Sequence, residues 1–276
     1  MKPMAPTAER ALQQAMIALQ AGHFDQAEWL AAEAARANPA DARAQHLLGH
    51  ARLLRGRAEE AVAPLELAVR RSHDPAAETQ LAMALRQSGR EQDALDRLNR
   101  ATKRKPPFPP AFLELGNLLA ALGRVDEAVD VLERAVQIAP RMGELSIQLG
   151  FIEHARGNVE KSIEMLTRGL AAAPKDADGL YLLARILQSR REFERAAETY
   201  HRIVAMAPQD AGARIGLGVC LSELGRQEAA LEHLRAASRT SPRMFGEAVV
   251  ALADAGRGRF WLRPSDAARA LRDTKA

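Results

Sequence analysis

The sequence predicts an all-α protein, a solenoid of seven helix-turn-helix units followed by a capping helix. Three observations predict it: a proline that recurs at a fixed interval, small residues that recur in register with it, and a glycine that recurs between them. Six of the fourteen prolines form a ladder, Pro39, Pro106, Pro140, Pro174, Pro208 and Pro242; the last five are each 34 residues apart, and the first gap of 67 is one unit of 34 plus one of 33. A fixed period of this length marks stacked helical repeats, in which no unit buries both its faces alone and each depends on its neighbours.

Placing that proline at the thirty-second position defines the units as 8–41, 42–74, 75–108, 109–142, 143–176, 177–210 and 211–244. The eighth position then reads Ala15, Gly49, Ala82, Gly116, Gly150, Ala184 and Gly218, and the twentieth reads Ala27, Ala61, Ala94, Ala128, Ser162, Ala196 and Ala230. Small residues at both places let two antiparallel helices cross closely, the ridges of one lying in the grooves of the other. The fifteenth position is Gly22, Gly56, Gly89, Gly123, Gly157 and Gly225 in six units, supplying the positive φ that ends a first helix. The twenty-fourth is large (Leu65, Leu98, Leu132, Leu166, Tyr200, Leu234) except at Ala31, and fills the space between the helices. The proline itself ends the second helix, because the residue before it is pushed out of the α region.

Three departures stand out. The second unit is one residue short and has His73 where the stop proline belongs, with Pro75 two residues on to take its place. Pro64 removes a backbone donor from that unit's second helix and is expected to bend it. The sixth unit has Arg191 in place of the turn glycine. After the last unit, residues 244–256 can form one more helix (Met244, Ala248, Val249, Leu252), Gly256-Arg257-Gly258 breaks it, and Pro264-Ser265-Asp266 starts another over Ala267–Arg272. Residues 1–7 read as a flexible N-terminus and 245–276 as a capping helix with a basic tail. An uncovered stacking face invites self-association, so Phe260, Trp261 and Leu262 are expected to seal the end of the stack. Self-association or partner docking through the tail is the second reading.

Composition excludes several classes. Aromatic residues are only 4% of the chain and charged residues 27%, which suits closely packed helices and argues against a disordered polyelectrolyte. The net charge of +4 resides in the segment from Arg257 onward, leaving residues 1–256 neutral overall; nucleic-acid binders carry a basic stripe along the folded body, so nucleic acid is not the expected partner. No apolar run approaches the ~20 residues that span a membrane, and Met1–Arg10 has no apolar core of a secretory signal. The single cysteine, Cys220, is placed on a first helix as a small buried hydrophobe and permits no internal disulfide. The expected location is the cytoplasm.

The five agreeing position classes, from Ala8 to Met244, resemble the tetratricopeptide repeat family, which implies a right-handed superhelical solenoid. It also implies that the first helices line a concave groove through their second, fifth, ninth, twelfth and thirteenth positions. Carried onto this sequence, those positions offer His46 and His50, Thr79 and Met83, Leu113 and Asn117, Phe151 and His154, and Tyr181 and Arg185 as partner-binding residues. Side-chain amides beside one or two apolar anchors suit a bound peptide. The carboxylate clamp of some family members needs Lys as well as Asn and Arg; Asn117 and Arg185 have no matching Lys, so the clamp is incomplete.

Other signals have structural readings. His46 and His50 share one helical face at a metal-ligand spacing, but Leu47, Leu48 and Gly49 lie between them and no third ligand is near in sequence, so no metal is expected. The run Lys103-Arg104-Lys105 before Pro106-Pro107-Phe108-Pro109-Pro110 falls in the expected last turn of a second helix, where cations oppose the negative dipole end. Residues 244–272 weakly resemble the segment leading into the catalytic domain of bacterial repeat–sulfotransferase fusions, and no catalytic residue carries over. With no nucleophile–base pair, carboxylate dyad or phosphate loop, the expected function is a non-enzymatic scaffold or adaptor without cofactor, binding a peptide or helix of another protein. The alternative is the non-catalytic, substrate-recruiting arm of a modifying enzyme such as a transferase.

Overall fold

The computed structural model describes residues 8–254 and 264–272. The first two repeats contribute α1 (Ala8–Gln20) and α2 (Phe24–Ala37), then α3 (Ala42–Leu54) and α4 (Ala58–Ser72). The next two contribute α5 (Pro75–Gln87) and α6 (Glu91–Ala101), then α7 (Pro109–Ala121) and α8 (Val125–Ile138). The last three contribute α9 (Gly143–Ala155) and α10 (Val159–Ala172), α11 (Ala177–Ser189) and α12 (Phe193–Met206), and α13 (Ala211–Glu223) and α14 (Gln227–Thr240). A 3-10 turn at Pro242–Met244 leads into α15 (Phe245–Asp254), and α16 (Pro264–Arg272) follows. Among the described residues there are sixteen α-helices and no strand, and the fold is an all-α helical repeat solenoid.

Every first helix begins at the first position of its unit, because the start signals are local. Asp41, Asp74, Asp176 and Asp210 each accept a backbone N–H of the helix they precede, at 2.7–3.0 Å. The turn glycines all have φ between 72° and 82°, and Arg191 adopts the same left-handed conformation at φ 63° despite its side chain. That position costs an L-residue about 1–2 kcal/mol. His73 takes the left-handed conformation as well (φ 53°) and ends α4, which runs through the buried Pro64 as one helix. One expectation is corrected: α6 stops at Ala101, so Lys103, Arg104 and Lys105 lie beyond it and not in its last turn. Thr102 turns its hydroxyl back to the Leu98 carbonyl at 3.0 Å, and two consecutive prolines follow at Pro106 and Pro107, which deny the α region to the residues before them.

The chain forms two compact blocks, residues 8–140 with four repeats and 141–272 with three repeats and the last two helices. In the first, buried Leu48, Leu65, Leu81, Leu98, Phe112 and Leu132 sit among alanines at the crossings. In the second, Leu166, Leu180, Leu187, Tyr200 and Ile203 form the core. There α15 packs on α13 and α14, and α16 packs on α14 and α15. Leu234, Ala248, Ala267 and Leu271 bury one another, Arg235 donates to the Ala270 carbonyl at 2.8 Å, and Arg272 lies 5.3 Å from the Phe245 ring centre. Phe260, Trp261 and Leu262, the residues expected to seal this end, lie outside the described residues, as do residues 1–7.

Candidate partner-binding faces

The ten candidate residues divide between the blocks, six in the first and four in the second. In the first block, α3, α5 and α7 stand side by side and carry His46, His50, Met83, Leu113 and Asn117, all half-buried. His46 is fixed from both sides: its Nε2 lies 2.9 Å from Gln80 Oε1, and its Nδ1 lies 3.4 Å from Asp74 Oδ2. Burial holds the His46 pKa below the usual histidine value against the opposing pull of Asp74 and Gln80; burial, then the neighbouring His46, does the same to His50. Thr79 is a correction. It is buried, and its hydroxyl donates to the Pro75 carbonyl at 2.7 Å, so it presents no polar group to a partner. Asn117 differs from its neighbours, because its Oδ1 is buried and has no hydrogen-bond partner. Beside it, burial raises the Glu114 pKa, with Arg86 opposing from 3.7 Å.

In the second block, Phe151 and Tyr181 both pack at the margin of the core, while His154 and Arg185 are exposed. Tyr181 is tied into the structure. Its hydroxyl donates to Asp210 Oδ1 at 2.5 Å, across to the residue that caps α13, and its ring meets Tyr200 edge-on at 6.4 Å. Burial and the Asp210 hydrogen bond raise the Tyr181 pKa. The Tyr200 hydroxyl donates to Gln188 at 3.0 Å, and burial pushes its pKa up to about 12. Cys220 is fully buried, and burial pushes its thiol up to about 12, which leaves it protonated and inert at neutral pH.

The partners that hold these residues escaped the sequence reading. Gln80 lies one 34-residue period beyond His46, and Asp210 stands just before a unit start, so both had a local signal. The arginine cluster on Glu28 had none: Arg52, Arg55 and Arg57 converge on it, with Arg52 at 3.1 Å and Arg57 at 2.9 Å. Burial alone would raise the Glu28 pKa, but hydrogen bonds from Arg55 and Arg52 and the charge of Arg57 hold the carboxyl below its usual range. Among the described residues no group of three His, Cys, Asp or Glu side chains is placed to hold a metal, and no helix is long and apolar enough to cross a membrane.

Paired helices repeated in register, with polar side chains on the first-helix row, define a helical repeat protein. Family models described as tetratricopeptide repeat match residues 12–76, 79–142, 119–186 and 181–244. The chain belongs to the tetratricopeptide repeat family. It is similar in fold to a thermophilic TPR protein of Thermus thermophilus (TM-score 0.58, 24% identity, covering 66% of this chain and 100% of that one). It is also similar to Pseudomonas aeruginosa PilF (TM-score 0.62, 16% identity, covering 73% and 92%). The structure of the anaphase-promoting-complex hetero-tetramer Cut9–Hcn1 matches at TM-score 0.63 and 15% identity, covering 93% of this chain and 50% of that one. No curated protein matches the chain.

Proposed function

We infer that the chain is a non-catalytic interaction scaffold whose first-helix faces hold a peptide or helix of a partner protein. Membership of the tetratricopeptide repeat family supports this, since such proteins are protein-interaction scaffolds and generally non-catalytic. One observation carries it further: the buried, unpartnered Oδ1 of Asn117, one turn from the half-buried Leu113 on the same face of α7. An unsatisfied buried carbonyl costs about 1–3 kcal/mol. A backbone N–H from a bound peptide would relieve that cost, and Leu113 and Met83 would take an apolar side chain beside it.

The test compares partner capture by wild type with that by Asn117→Ala plus Leu113→Ala, with affinity for the identified partner then measured by calorimetry. The pair should lose affinity about tenfold or more with helicity unchanged. The second-helix pair Arg195→Ala plus Glu198→Ala should bind as wild type. Equal loss in both would move the partner off the first helices. Arg185→Ala is the suitable second-block variant, because Tyr181→Ala would also remove a structural tie.

A further inference from the structure

The early end of α6 leaves a gap on the second-helix side of the first block. α6 has eleven residues where α8 has fourteen. The chain instead passes through Lys103–Pro107 before α7 begins at Pro109. Between the end of α6, this segment, α7 and α8 is a cleft of about 400 Å³, within the ~300–1,000 Å³ range of ligand sites.

The lining is two-sided. Its floor is apolar, with the buried Phe112 and Leu115 from α7 and Ile138 from α8, which is 41% exposed. Its mouth is cationic, with Lys103, Lys105 and Arg134, and no lining residue is acidic. Many arginines of this block are matched by carboxylates, as at Arg90–Asp93 and Arg124–Glu127. Arg104 also reaches the cleft, but it is matched: its guanidinium lies 2.7 Å from the buried Glu78 and bonds the His73 carbonyl. Lys103, Lys105 and Arg134 have no carboxylate partner among the described residues, and Arg134 instead sits over the Phe112 ring at 5.9 Å. Three cations without a carboxylate partner thus stand around a cleft that no acidic side chain lines and that leaves Ile138 open to water.

We propose that this cleft binds a short acidic peptide segment carrying a hydrophobic side chain, with its carboxylates at the Lys103–Lys105–Arg134 mouth and its apolar side chain on the Phe112–Leu115–Ile138 floor. Charge complementarity selects the acidic partner. The apolar floor selects a peptide over a bare anion, which would leave Ile138 in water. The cleft is small, so it recognises a short motif and not a folded surface. It lies on the second-helix side, so it is independent of the first-helix reading above.

The test uses the full chain and a fluorescein-labelled peptide of four Asp and Glu residues around a central Leu-Phe, read by fluorescence polarisation. Lys103→Glu plus Lys105→Glu, both exposed side chains, should weaken binding about tenfold or more, and raising salt from 50 to 500 mM should weaken it in the wild type. Ile138→Ser should weaken it several-fold at unchanged melting temperature, as should replacing the Leu-Phe of the probe by Ser-Ser. Lys175→Glu, an exposed charge reversal in the other block, should bind as wild type. Equal binding by the double charge reversal overturns the proposal. So does competition by inorganic phosphate as strong as that by unlabelled peptide, which would make the cleft a simple anion site, or tighter binding there of a labelled oligonucleotide.

Discussion

The two blocks repeat one pattern of helices but bring them together differently. In the first, the only glycines inside helices are Gly49 and Gly116, each at the eighth position, and a Cβ on either would meet only a leucine side chain, Leu65 or Leu132. The remaining crossings there use alanine. In the second, glycine also stands at positions 143, 169, 179 and 216, and at Gly143 and Gly169 the backbones themselves come close. A Cβ on Gly143 would lie 2.6 Å from the Gly169 carbonyl oxygen, and one on Gly169 would lie 2.8 Å from that of Gly143. A Cβ on Gly216 would fall 2.4 Å from the Tyr200 ring. The missing methyl groups leave room for larger partners, which is how Tyr200 fits where other units have leucine. The first block adapts by side chain; the second adapts also by backbone, where α9 meets α10.

The largest effect should follow from putting bulk into that backbone contact. Gly169→Leu is expected to cost more than about 3 kcal/mol, because its neighbours are main-chain atoms and Ile147, which cannot swing away. Gly116→Leu should cost about 1–3 kcal/mol, since Leu132 can move in part. Gln137→Ala, on the exposed side of α8, should stay within about 0.5 kcal/mol. Urea unfolding measures all three. Equal costs for the two glycine variants would remove the distinction between the blocks.

This contrast was half legible in the sequence. The register was readable because the signals that set it are local: a proline, a capping Asp and a left-handed glycine each act on their own few residues, and every first helix starts where they place it. Even Arg191 and His73, the wrong residues, take the left-handed conformation that their places require. Reading side chains by position was less secure. The fifth position looked uniformly presented, yet Thr79 is buried and bonded within its own helix while Tyr181 bonds Asp210, the cap of the following helix α13. The basic run after α6 was assigned to a helix by analogy with the other units, although Pro106 and Pro107 oppose a helix there. The Glu28 cluster joins residues 24 to 29 positions apart, and no local pattern announces such a meeting.

The end of the second block gives a smaller expected effect. Leu271 is 5% exposed and packs with Leu234, Ala248 and Ala267. Leu271→Ala should cost about 2–3 kcal/mol in urea unfolding. Deleting residues 257–276 should lower the melting temperature by several degrees and promote aggregation as the Leu234 face opens. A truncated chain that melts as wild type but loses a dimer or a partner would assign α16 to docking.

Acid should act on the first block through its histidines. Burial lowers the pKa of His46 and His50, so below 6.5 the unfolded chain binds protons that the folded chain refuses. Stability from these sites is complete above pH 6.5 and declines as pH falls toward their folded-state values. His233 in the second block is lowered too, by burial and then by Arg214, and contributes in the same direction. The melting temperature at pH 5.5 should therefore lie below that at pH 7.5, and His46→Gln plus His50→Gln should reduce the difference while leaving the His233 share. An unchanged difference in the double variant would place the acid sensitivity elsewhere.

The smallest effect concerns the ties that hold one repeat to the next. In the first block His46 reaches Gln80 in the following unit; in the second Tyr181 reaches Asp210, the last residue of its own unit, which caps the first helix of the following one. The second tie is charge-assisted and its acceptor has two tasks, because Asp210 also accepts the Ala213 N–H at 2.9 Å as the cap of α13. Tyr181→Phe removes the hydroxyl and keeps the ring edge-on to Tyr200, so it should cost about 1–2 kcal/mol. Asp210→Ala should cost more, because it loses the cap as well, worth about 1 kcal/mol by itself. The double variant Tyr181→Phe plus Asp210→Ala should then be less destabilised than the sum of the two, by the energy of their shared bond. If the costs simply add, the tyrosine and the aspartate do not act together, and the second block is joined by its close backbone packing alone.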